Sequence, residues 1–250
     1  MKLLVAIPIY NEEQHLEKVL AEVRRHACDI VVINDGSSDR TGEILAQHED
    51  LTVLTHPHNR GYGAALITAF RHAQTRDCDV LVTMDCDGQH EPARIPVLVE
   101  AIHDADIVSG SRYLRDFRQK TLPTPQDRRQ INQIITEELN QALGLHLTDA
   151  FCGFKAYRKE ALAQLHPTET GWGMPLQVWV QAARLGLRMK EVGVPRIYLD
   201  PNRAFGGVLN NPEQRLEYYR GVIAHALAAE ITPAAELSWH DVSVSRGRCR

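Results

Sequence analysis

Asp79-Val80-Leu81-Val82-Thr83-Met84-Asp85-Cys86-Asp87-Gly88-Gln89-His90 is a short apolar, β-branched run that ends abruptly in an acidic turn. Residues 79–84 have the length and composition of a buried strand. Working outward, runs of the same kind occur at 2–8, 29–34 and 51–55, and a fifth at 106–109. Between them, residues 12–26, 38–47, 61–74 and 92–103 space their apolar positions as helices do, for example Leu16, Val19, Leu20 and Val23. Strands alternating with helices predict right-handed crossovers and an α/β fold: a mainly parallel central sheet flanked by helices. Ligands of such sheets sit over the C-terminal ends of the strands. That rule directs attention to residues 10–12, 34–39, 55–63 and 85–90.

The rhythm breaks after Arg112. Residues 113–127 have no apolar period, and a loop of this length within a domain is usually functional or mobile. Beyond it, helices are expected at 128–143, 160–165, 176–185 and 212–229, with short strands at 154–157, 189–192 and 195–199. Periodicity fades after Ile231, and the tail 231–250 is expected to be disordered. The chain of 250 residues is 44% hydrophobic and 24% charged, which excludes a disordered or fibrous class. A formal net charge of −4 provides no general attraction for nucleic acid. No apolar run approaches the roughly 18 residues of a membrane span, and the apolar N-terminal run is too short for a signal peptide. Five cysteines without a C-x-x-C pair argue against a disulfide framework or structural zinc, so a reducing, cytoplasmic setting is expected.

Alternation at a strand end puts Asp85 and Asp87 on one side, with Cys86 pointing away. Two neighbouring carboxylates repel unless a cation sits between them, and hard oxygen ligands favour Mg²⁺ or Mn²⁺, with Gln89 as a further oxygen. The alternative is a solvated acidic turn. Asn34-Asp35-Gly36-Ser37-Ser38-Asp39 is good turn and helix-cap chemistry, yet it also offers Asp35 to a nucleotide. Asn59-Arg60-Gly61-Tyr62-Gly63-Ala64-Ala65 falls short of a dinucleotide fingerprint, because Leu66 occupies the third glycine position and the motif follows the third strand. Tight helix packing on the sheet accounts for its small residues equally well. Arg112, Arg115, Arg118, Lys120, Arg128 and Arg129 gather around the irregular loop and suit phosphate oxygens, as does Arg203 in a Gly-rich segment.

Taken in order, P-x-Y-N-E at 8–12, D-G-S-S-D at 35–39, N-x-G-x-G-A-A at 59–65 and D-x-D-x-Q at 85–89 resemble the family 2 glycosyltransferases. G-S-R-Y at 110–113 and D-x-x-x-G-F-K at 149–155 resemble the dolichyl- or polyprenyl-phosphate mannose or glucose synthase branch, so the likeness spans roughly residues 1–207. It implies a GT-A fold, with one domain over 1–230 divided into a nucleotide-binding half (1–110) and an acceptor half (111–230). It also implies inverting transfer of a hexose from a GDP- or UDP-sugar, with Mg²⁺ or Mn²⁺ as cofactor and a polyprenyl phosphate as acceptor. By this likeness Pro8, Tyr10, Glu12, Asp35, Asp85, Cys86, Asp87 and Arg203 hold the nucleotide sugar, and Asp85, Asp87 and Gln89 the metal. Arg112 and Arg129 meet the acceptor phosphate; Asp87, Arg112 and Asp149 are the catalytic candidates. A phosphate acceptor is already anionic, whereas a hydroxyl acceptor needs a base, for which Asp149 or His90 is placed. Cys152, Gln177 and the Gly206-Gly207-Val208-Leu209 stretch depart from the family's usual serine, glutamate and serine–lysine. A soluble hydroxyl acceptor, a lapsed nucleotide-sugar-binding scaffold and a nucleotidyltransferase are the competing readings. Membrane contact, if made, is expected to be peripheral, at the inner face.

Overall fold

Leu3–Ile9 (β1) is buried on both faces after its first residue. Its alternating side chains divide between two cores, Leu4 and Ala6 on one side, Val5, Ile7 and Ile9 on the other. The computed structural model describes residues 1–114, 125–199, 206–231 and 242–245. Asp29–Asn34 (β2), Thr52–Thr55 (β3) and Val80–Thr83 (β4) join β1 in parallel, in the order β3-β2-β1-β4. Lys155–Arg158 (β6) adds antiparallel to β4, and Ile107–Ser111 (β5) antiparallel to β6. Met189–Gly193 (β7) closes that edge in parallel with β5. The sheet is therefore mainly parallel, with β6 as an inserted reverse strand.

One face is covered by Leu16–Val23 (α1), Thr41–Leu45 (α2) and Ile95–Ala101 (α4). Helix α1 buries Leu16, Val19, Leu20 and Val23, a single stripe whose transfer from water is worth roughly 6–12 kcal/mol before conformational entropy is subtracted. The other face carries Tyr62–Thr75 (α3), Gln126–Leu143 (α5), Lys159–Leu162 (α6), Met174–Arg184 (α7) and Pro212–Ala228 (α8). Among these, Trp179 is fully buried and donates its indole N–H to the Ala150 carbonyl at 2.9 Å.

The helices expected at 12–26 and 160–165 shorten to α1 and α6, and three further expectations change. The helix expected at 38–47 shortens to α2, because side chains already satisfy the preceding backbone: Asn34 Oδ1 accepts from Ser37 N, and Asn11 Oδ1 accepts from Ser38 N. The strand expected at 195–199 is absent. Strand β7 ends at Gly193 beside the last paired residue of β5, Ser111, and Pro195 has no N–H to extend a ladder. Of the tail expected to be disordered, 232–241 and 246–250 lie outside the described residues, while Ser243–Ser245 (β8) is ordered, pairing antiparallel with β3 along the sheet edge.

Candidate active site

The strand order turns back between β1 and β4, and the ends of both strands open into a cleft of about 990 Å³. Asn11 shapes its rim. It adopts a left-handed conformation (φ 56°), tolerable for Asn, and its side chain and backbone tie the end of β1 to the end of β2 through Ser37 and Ser38. Pro8, Tyr10, Glu12, Asp35, Asp85, Cys86, Asp87, Gln89 and Arg112 all line this cleft. Glu12 is nearly buried, its backbone N–H bonded to Thr41 Oγ1 and its carboxylate 3.0 Å from His15 Nδ1.

Asp35 is held by the protein's own groups. Its Oδ1 accepts from Arg60 N (2.9 Å), its Oδ2 from Gly61 N (2.9 Å), and His56 Nδ1 lies 2.6 Å from Oδ1. His56 in turn meets Thr68 Oγ1 at 2.9 Å, so the Asp35 rotamer and the 59–61 turn are locked together. The small residues of the N-x-G-x-G stretch answer to a neighbour other than the sheet. A Cβ at Gly61 would lie 2.4 Å from the Thr170 carbonyl oxygen, and one at Gly63 2.3 Å from that of Glu169. Ala64 N donates to Thr170 O at 3.0 Å, clipping the 169–171 segment onto the start of α3. Gln177 fixes the same segment, accepting from Thr168 N and Glu169 N at 2.8 Å each.

Beyond β4, Asp85 Oδ1 accepts from the Tyr62 hydroxyl at 2.9 Å, while Asp85 N donates to His90 Nδ1 at 2.9 Å. His90 is buried and stacked on Phe154. Burial and the Asp85 charge push the Tyr62 phenol well above its ordinary range, so it remains a neutral donor. Asp87 Oδ1 accepts from Gln89 N across the Gly88 turn, where φ is +73°. Cys86 is buried in the core under the turn. Among the described residues no group of three or more His, Cys, Asp or Glu is placed to hold a metal alone. Two hard carboxylates with neutral supporting donors nevertheless fit Mg²⁺ or Mn²⁺, which usually complete their octahedra with water and substrate phosphate oxygens.

The basic end of the cleft is built on Asp149. This carboxylate is fully buried; it accepts from Arg112 Nε (2.6 Å), Arg112 Nη2 (2.8 Å), Arg112 N (3.1 Å) and Asn132 Nδ2 (2.8 Å). Burial alone would raise its pKa, but Arg112 and Asn132 hold it below the usual carboxylate range. Asp149 therefore orients Arg112 and is a poor proton acceptor. Thr136 bonds Asn132, and Glu191 receives Thr148 N and Asp149 N, which makes the mount rigid. Next on α5, Arg128 lines the cleft whereas Arg129 is exposed and does not. Arg115, Arg118, Lys120 and Arg203 lie outside the described residues. Sequence reading missed Arg215, buried on α8 and bonded to Asp127 and the Leu209 carbonyl. It also missed an aromatic wall of Tyr62, Phe151, Trp172, Tyr198 and Tyr219. These residues come from distant segments whose apolar positions read as ordinary core. Lys155, fully buried, donates to the Cys152 carbonyl and lies 5.2 Å over the Trp179 ring; burial lowers its pKa.

A mainly parallel sheet of this order, with an acidic turn over its switch point, has the GT-A fold. Residues 4–165 match the family described as Glycosyl transferase family 2, and the chain belongs to it. An undecaprenyl-phosphate mannosyltransferase of Micrococcus luteus is 34% identical over 220 residues, covering 84% of this chain and 90% of that protein. A polyprenol monophosphomannose synthase of Mycolicibacterium smegmatis is 33% identical over 171 residues, 65% of this chain and 63% of that protein. In structure, glucosyl-3-phosphoglycerate synthase from Mycobacterium tuberculosis, crystallised with Mn²⁺, UDP and phosphoglyceric acid, superposes with a TM-score of 0.69. That match covers 92% of this chain and 79% of that one at 19% identity. Among the described residues no helix is long and apolar enough to cross a membrane.

Proposed function

We propose that this glycosyltransferase moves a hexose, with inversion, from a GDP- or UDP-sugar to a polyprenyl phosphate. The observation that carries the reading is one cleft lined both by the Asp85–Asp87 pair and by the Arg112 fork, with an apolar wall of Ile131, Phe151, Trp172 and Tyr219 in the same space. The names of the M. luteus and M. smegmatis relatives support the acceptor class. Pro8, Tyr10, Glu12 and Asp35 are assigned to the nucleotide. Asp85 and Asp87, with Gln89 beside them, are assigned to a divalent metal, which when bound supplies positive charge to the donor diphosphate. Arg112 and Arg128 are assigned to the acceptor phosphate, which a guanidinium can meet with two parallel hydrogen bonds.

An acceptor phosphate oxygen attacks the anomeric carbon. The new carbon–oxygen bond forms as the bond to the diphosphate oxygen breaks, and the nucleoside diphosphate leaves with that electron pair. The attacking oxygen carries no proton to remove, so Asp149 can be committed wholly to Arg112. That economy favours a phosphate over a hydroxyl acceptor. Contact with a bilayer is peripheral in this reading.

Transfer of labelled hexose from GDP- and UDP-sugars to undecaprenyl phosphate, with Mn²⁺ or with a chelator, tests it. Label entering the organic phase only with metal present is expected, and Asp87→Ala should lower the rate by roughly 10²–10³-fold. Nucleotide binding without lipid labelling would overturn the acceptor assignment, and label in a water-soluble product would move it to a hydroxyl acceptor.

A further inference from the structure

We infer that Tyr62 is a positioning residue for Asp85, and that its stack with Trp172 ties that carboxylate to the 169–173 segment of the acceptor half. This rests on the reading of Asp85 and Asp87 as the metal and donor site. Tyr62 opens α3, 23 positions before Asp85, and reaches across the strand end to give its hydroxyl proton to Oδ1 at 2.9 Å. Two walls hold the ring. Trp172 stacks on it with centroids 4.9 Å apart and planes inclined by 16°. Near the hydroxyl, the chain comes so close that a Cβ at Gly153 would lie 2.5 Å from Tyr62 Oη and 3.0 Å from Asp85 Oδ2. Only glycine fits there without moving the hydroxyl or the carboxylate.

The stack is itself anchored from both halves of the chain. Thr170 O accepts from Ala64 N on α3, Glu169 Oε1 accepts from Gly171 N at 2.7 Å, and Tyr218 Oη on α8 accepts from Gly173 N at 3.0 Å. A phenol suits this task better than a lysine or arginine. It fixes the carboxylate's rotamer and adds no positive charge to the His90 ring already 3.7 Å from Asp85 Oδ2, so nothing further competes with a metal cation. Outer partners that orient metal ligands in this way typically contribute about 10–100-fold in metal affinity. The Asp85 side chain is 29% exposed, so water can replace the hydroxyl if it is removed, and the fold should tolerate the loss.

Tyr62→Phe keeps the ring and its stack while deleting only the hydroxyl. Calorimetry of Mn²⁺ in the presence of GDP or UDP, with free Mn²⁺ counted by electron paramagnetic resonance, is expected to show a dissociation constant raised about tenfold. The melting temperature should be nearly unchanged. In an Asp85→Asn background the same substitution should add nothing, because Tyr62 acts through Asp85. A dissociation constant within twofold of wild type, or a full additional loss in the Asp85→Asn background, overturns the inference while leaving the functional reading intact. Wild-type protein that binds no metal–nucleotide pair overturns both.

Discussion

Asp149→Asn isolates the mount of Arg112. In the wild type the carboxylate receives four donors from Arg112 and Asn132 and is wholly buried, while the Arg112 side chain is 21% exposed. The amide is nearly the same size, so no cavity forms. It removes the countercharge and turns one acceptor into an NH₂ group that must face another donor. Losing one partner of a buried ion pair costs about 3–5 kcal/mol, and partial access of water to Arg112 reduces that here to about 2–4 kcal/mol. In a chain of this size each kcal/mol lowers the melting temperature by about 2–4 °C, so a fall of roughly 5–15 °C is expected at pH 7. The pH dependence follows from the depressed Asp149 pKa. A carboxyl with a folded pKa below its unfolded value near 3.9 stabilises fully above that value and loses its contribution as pH falls through the folded pKa. The gap between wild type and Asp149→Asn should be constant from about pH 6 to 8 and should narrow below about pH 4. Thermal melts across that range test it. A variant melting within 1 °C of wild type at pH 7, or a gap that persists undiminished at the acid end, refutes the assignment.

Arg128→Ala should raise the KM for the proposed phosphate acceptor about tenfold or more, since a hydrogen bond to a charged group is worth about 1.5–3 kcal/mol; Arg129→Ala, on the exposed side of α5, should stay within twofold, and steady-state kinetics of the pair decide. Gly61→Ala places a Cβ 2.4 Å from Thr170 O at a φ of +105°, so a loss of about 1–3 kcal/mol from backbone strain plus the clash is expected in urea unfolding. Trp179→Phe strands the Ala150 carbonyl in the core and should cost about 1–3 kcal/mol in the same assay.

Much of the cleft at the ends of β1, β2 and β4 could be read from the chain. The strands 2–8, 29–34 and 79–84 emerge as β1, β2 and β4 within a residue or two, because strands buried on both faces are continuous apolar runs that few other structures explain. Their ends then place Tyr10, Asp35 and Asp85 over one opening by the geometry of a parallel sheet alone. The Arg112–Asp149 side was less legible. Arg129 and Arg128 are adjacent in a helix and chemically identical, and only the packing of α5 against its neighbours selects the one that faces the cleft. Residues 195–199 look like a strand but pair with none of the described strands. Asp149 reads in sequence as an available base, and only the approach of Arg112 from β5 and Asn132 from α5 reveals that its oxygens are engaged.

Local pattern thus determined the alternation of elements, the parallel core and the D-x-D turn, since each depends on residues near one another along the chain. Tertiary structure alone decided the insertion of β6 between β4 and β5, the pairing of β8 with β3, the Arg112–Asp149 mount and the Trp172–Tyr62–Asp85 chain. Each of these joins residues tens of positions apart, and their contact energy exists only once the sheet has brought their segments together.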